Sequence, residues 1–142
     1  MLKRPRYRPP GRTVHSDLKD AIGDFNRGRY FDAAERFERA ATIVEPELKE
    51  LVGALNRVAA ALHLRFNRGG RQSSINLLSQ AILTLEDSRP SRGGIDIERL
   101  SSELSAYTEE LRASPRNELS GARYRIRLFT ERRRVPRIVV NE

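Results

Sequence analysis

The chain has 142 residues with 38% hydrophobic content, enough for one domain around a single core. It has no cysteine, which excludes disulfides and cysteine-held zinc, and no apolar run near the roughly 20 residues that cross a bilayer. The formal charge of +8 is unevenly placed: residues 1–15 carry +5, residues 16–112 carry −2 and residues 113–142 carry +5.

That division predicts three parts: a basic Pro-rich arm (1–15), a mixed-charge helical domain (16–112) and a basic C-terminal segment (113–142). The chain holds 24 Arg and 3 Lys. Arginine suits phosphate recognition, but a GC-rich genome also yields arginine by default. The placement of the charge therefore carries more weight than the count. The basic N-terminus is followed by no apolar run, so it does not read as a secretory signal, and a cytoplasmic protein is expected.

The first arm, MLKRPRYRPPGRT, alternates basic residues with Pro and Tyr and is expected to be extended. Ser16 reads as the N-cap of a first helix, with Leu18, Ala21, Ile22 and Phe25 on one face and Gly28 ending it. A second helix follows from Tyr30 to Val44, with Ala33, Phe37, Ala40 and Val44 inward. Pro46 fits the first turn of a third helix, which carries Leu48, Leu51, Leu55, Val58 and Leu62 and stops at Asn67 to Gly70. A fourth helix places Ile75, Leu78, Ile82 and Leu85 on one face. After a Pro-, Ser- and Gly-rich loop at 87–95, Asp96 is expected to cap a fifth helix with Leu100, Leu104, Tyr107 and Leu111 inside. Beyond Pro115, Tyr124, Ile126 and Leu128 alternate with Arg123, Arg125 and Arg127. That period of two predicts a basic C-terminal β-hairpin with the run Val135 to Val140, or else a tail that orders only on a partner.

Phe25-Asn26-Arg27-Gly28 recurs unchanged as Phe66-Asn67-Arg68-Gly69, an offset of 41 residues. The expected architecture is all-α: about five helices, as two stacked helical hairpins and a closing helix. Residues 28–40 resemble the second helix of a tetratricopeptide repeat through Gly28, Tyr30, Ala33, Phe37 and Ala40. The second copy differs, with Arg71 for Tyr30 and Ser74 for Ala33, and the offset exceeds that family's 34 residues.

Three stretches together carry a broader likeness: Phe25 to Ala33, Ala59 to Leu64, and Gly94-Ile95-Asp96. In this order they resemble the small helical family catalogued as domain of unknown function 309, over residues 18–105. The resemblance implies a helical fold. It also implies a His-Glu-Glu cluster, of which Glu35 and Glu38 are present while Ala34 stands for the His and Ala41 for a Trp.

Glu35, Glu38 and His63 form a conceivable three-ligand metal set on neighbouring helices, against which stands ordinary surface pairing with Arg36 and Arg39. There is no phosphate-binding glycine motif and no serine with an obvious base other than His63. No catalytic residue, metal or cofactor is therefore assigned, and a non-enzymatic binding module is expected. The candidate nucleic-acid contacts are Arg4, Arg6, Tyr7, Arg8 and Arg12 in the first arm. In the C-terminal segment they are Arg123, Arg125, Arg127, Arg132, Arg133, Arg134 and Arg137. Arginine neutralises phosphate and the interleaved aromatics stack on bases, so RNA or a ribonucleoprotein is the expected partner. An acidic protein or anionic membrane would also meet the charge. The alternative is a protein-interaction scaffold using Tyr30 and Phe31 in a tetratricopeptide-like groove, or association with a second copy.

Overall fold

The computed structural model describes residues 16–113 and 121–141. The fold is all-α. Helices α1 (Ser16–Asn26), α2 (Tyr30–Ala40), α3 (Pro46–His63), α4 (Arg71–Glu86) and α5 (Ile97–Ala113) follow the expected order, and each packs on the next. Their apolar stripes meet in one core, with Phe25, Phe37, Leu55, Leu62, Leu78 and Leu104 among the fully buried side chains. Pro46 occupies the first turn of α3, where its missing N–H costs nothing. The Asp96 side chain accepts the Arg99 backbone N–H at 3.0 Å, which satisfies one of the orphan donors opening α5.

The two identical tetrapeptides both end in a left-handed glycine, Gly28 at φ +80° and Gly69 at φ +69°. Such a backbone favours glycine, so one turn requirement accounts for the recurrence of that residue. The helices nevertheless end differently. α1 stops at Asn26, whereas α3 widens into a π-helical turn, Leu64–Arg68, before Gly69. The substituted positions of the second segment have their own uses. Ser74 is buried as Ala33 is, and its hydroxyl donates to the Ala61 carbonyl at 2.8 Å. Arg71 donates to the Leu111 and Arg112 carbonyls at the end of α5.

The basic C-terminal segment corrects the expectation for residues 123–128. They do not alternate along a strand but belong to a sixth helix, α6 (Gly121–Arg132). Three buried or semi-buried positions, Tyr124, Leu128 and Glu131, follow helical spacing and override the period-two reading. An antiparallel hairpin does exist, but it lies between α4 and α5 as β1 (Ser91–Arg92) and β2 (Ile95–Asp96). The chain after α6 runs extended beside it. Val140 bridges to Ile95, Asp96 N–H donates to the Val139 carbonyl at 2.9 Å, and Ile138 enters the core. Residues 121–141 of the C-terminal segment are thus part of the folded unit.

Candidate functional site

α6 is held by charge that is turned inward. Arg65, in the π-helical turn, donates through Nε and Nη2 to the two carboxylate oxygens of Glu131, both at 2.8 Å. The Tyr107 hydroxyl donates to Glu131 Oε2 at 2.7 Å. All three side chains are buried, and the fork-on-carboxylate geometry is the strong, directional form of an ion pair. Burial pushes the Glu131 carboxyl up, but the hydrogen bonds from Arg65 and Tyr107 outweigh it and hold the group below the ordinary carboxylate value. Burial, reinforced by the Glu131 charge, raises the Tyr107 phenol. A desolvated pair of this kind adds little net stability over an apolar pair, yet it fixes which register of α6 can dock.

A second anchor is the next residue, at the end of α6. The Arg132 guanidinium sits 5.4 Å from the Tyr30 ring centroid and 5.6 Å from that of Phe66, and donates to the Gly28 carbonyl. Tyr30 packs edge-on to Phe25 at 5.3 Å and stacks with Phe66 at 6.1 Å. The phenylalanines of the two tetrapeptides therefore meet on either side of one tyrosine, and α6 closes over them. A third anchor is Asn26. Its side-chain amide donates to the Ile138 carbonyl at 2.9 Å and accepts the Ile138 N–H at 2.8 Å, pairing like a strand with the extended tail.

These anchors sort the expected contacts. Arg132 is committed to Gly28 and the aromatic stack, and Arg134 pairs with Glu110 at 2.6 Å. Arg127 is half-buried beside Tyr107 and Glu131. Arg123, Arg125, Arg133 and Arg137 are exposed. A strand would have put Arg123, Arg125 and Arg127 on one face. The helix instead sends Arg125 to a different side from Arg123 and Arg127. Along the outer side, Ala122, Arg125, Ile126 and Phe129 fall at i, i+3, i+4 and i+7. Ile126 and Phe129 are each 65% exposed, and Arg133 lies 6.0 Å from the Phe129 ring centroid. Arg4, Arg6, Tyr7, Arg8 and Arg12 lie outside the described residues.

The other expected contacts divide as well. Tyr30 is a core residue, so it cannot be a docking side chain, while Phe31 is 55% exposed and rests 5.2 Å from the His63 ring. Glu35 and Glu38 face solvent, and among the described residues no group of three metal-ligating side chains comes together. No described helix is long and apolar enough to cross a membrane.

The residues that sequence reasoning missed are Arg65, Glu131 and Asn26. Glu131 had a visible signal, since it is the single acid among seven arginines in residues 121–141. Arg65 interrupts an apolar run between Leu64 and Phe66, a weaker signal of the same kind.

No protein-family model matches the chain, and no solved structure matches it. Over 95 residues it is 34% identical to an uncharacterized protein of Aquifex aeolicus (strain VF5), covering 66% of this chain and 27% of that protein. The chain thus spans about a quarter of the length of the relative it matches.

Proposed function

We propose that this protein is a non-enzymatic helical binding module that grips RNA, alone or within a ribonucleoprotein, through the outer side of α6 and the basic first arm. One observation carries the reading: in residues 121–141 the single carboxylate is buried, so this segment offers solvent only positive charge, set around two exposed apolar side chains. On that side Arg125 and Arg133 supply phosphate contacts. Phe129, with Arg133 beside it, supplies a face on which a base can stack. Nothing in the segment reads base edges, so recognition is of backbone and unpaired bases. The rigid anchoring of the inner side is what keeps that surface presented. Kinship with the helical family 309 is part of the proposal, supported by the helix order and by α5 opening directly after Gly94-Ile95-Asp96. A cytoplasmic setting accords with it.

Affinity of the full chain for a single-stranded RNA is measured by fluorescence anisotropy across a salt series, with anionic vesicles as competitor. The proposal expects binding that weakens steeply with salt and survives the vesicles. Salt-independent binding, or displacement by vesicles at equal charge, would overturn it in favour of a protein or membrane partner.

A further inference from the structure

Where α6 ends, a hollow of about 250 Å³ opens between its last residues, the first tetrapeptide and the extended tail. Arg27, Arg132, Arg133 and Arg137 line it together with Gly28 and Tyr30, and no carboxylate stands in its wall. Two neighbouring hollows differ. The one beside Tyr107 sets Glu110 and Glu131 against Arg127 and Arg134, and the one beside Arg99 includes Glu103 and Glu110. Carboxylates stand among the arginines of both, and Arg137 lines the second of them as well, whereas the wall of the first hollow holds arginine alone. Among the described residues, Arg27, Arg133 and Arg137 have no carboxylate partner.

The hollow is also built, in that its parts are held in place by contacts apart from any ligand. Asn26 fixes the tail at Ile138, which sets Arg137 against the turn. Arg132 is oriented by the Gly28 carbonyl and by two aromatic rings, and the carbonyl takes one N–H of the five its side chain carries. Gly28 is needed twice. Its φ is +80°, and a Cβ there would stand 3.0 Å from the Arg132 guanidinium. A side chain at position 28 would push away an arginine that lines the hollow.

We infer that this hollow is a phosphate site, in which Arg27, Arg132, Arg133 and Arg137, the four arginines that line it, turn their guanidinium groups onto one phosphoryl group when it binds. Planar guanidinium forks match phosphate oxygens bidentately, and four of them exceed what solubility demands of one turn. The inference rests on the RNA reading for the source of the group: a phosphodiester within a strand or a phosphate at its end. The affinity of the hollow for phosphate itself does not depend on that reading.

Inorganic phosphate is titrated into the full chain at ionic strength held constant with chloride, and backbone amide shifts are followed by NMR. Saturable shifts are expected at Asn26 to Arg29 and Arg132 to Arg137. Binding is expected to be about tenfold weaker in R27Q/R137Q, in keeping with loss of charge-assisted hydrogen bonds at two exposed sites. Should that pair not fold, Arg133→Gln alone carries the same comparison. Equal shifts with chloride and phosphate, or wild-type phosphate affinity in the folded variant, would overturn the site. Single-stranded RNA with a 5′-monophosphate is then compared with its 5′-hydroxyl form. Tighter binding of the monophosphate assigns a terminal phosphate to the hollow, and equal binding assigns an internal one, provided both weaken in R27Q/R137Q. Phosphate shifts without RNA binding would leave the site and sink the RNA reading. Salt-dependent RNA binding without phosphate shifts would do the reverse.

Discussion

The two sides of α6 use the same residue type for opposite ends. On the inner side, and in the turns it meets, arginine is spent internally: Arg65 on Glu131, Arg132 on Gly28 and two rings, Arg134 on Glu110. On the outer side Arg125 and Arg133 stand in solvent beside Ile126 and Phe129. A count of positive charge treats the two alike. What separates them is the position of a few partners, chiefly one buried glutamate. The inner set determines where the helix sits, with Arg132 alone also facing the hollow at the helix end, and the outer set is what a partner meets along the helix.

Variants that mistake one side for the other would break this contrast. The largest effect belongs to Glu131→Ala, which leaves Arg65 buried and unpaired. A loss of about 3–5 kcal/mol in urea unfolding is expected, most of it regained in Arg65→Met/Glu131→Leu. Asn26→Ala leaves both Ile138 backbone groups without their partner and is expected to cost about 1–3 kcal/mol. Asn67→Ala, at the exposed matching position of the second tetrapeptide, is expected to change stability by less than about 0.5 kcal/mol. On the outer side, Phe129→Ala is expected to leave the melting temperature unchanged and to weaken RNA binding by about 1–3 kcal/mol, the range for losing one stacked base.

The smallest effect sharpens the inner side alone. Glu131 is held below its ordinary value of 4.5 in the folded chain. Its contribution is therefore complete above about that pH and is lost as pH falls through the lower folded value. A stability profile of wild type against Glu131→Gln is expected to show a larger acid-side loss in wild type, since Glu86 is also held below its ordinary value and keeps its share in both. Parallel profiles would mean that the pair does not govern docking.

Much of the helical order was legible because α1 to α5 bury clean apolar stripes, and because Pro46, Asp96 and Gly28 stop or start helices by local chemistry. α6 was not. Its apolar residues are few, and alternation in six residues outweighed the i, i+4, i+7 relation of Tyr124, Leu128 and Glu131, since a buried glutamate does not register as a core residue until its arginine is found. Arg65 and Glu131 are 66 residues apart, and no local rule connects them. The repeated tetrapeptide was visible, but its use was not. Asn26 and Asn67 are identical in local sequence, and only the return of the tail to α1 distinguishes the clamp from the surface residue.

The most direct test of the account is where RNA touches the chain. The full protein is photo-crosslinked to a 4-thiouridine-labelled single-stranded RNA and the attached peptides are mapped. Crosslinks on residues 122–133, centred on Phe129, are the predicted result. Crosslinks confined to another exposed aromatic, Phe31 beside His63, would contradict it.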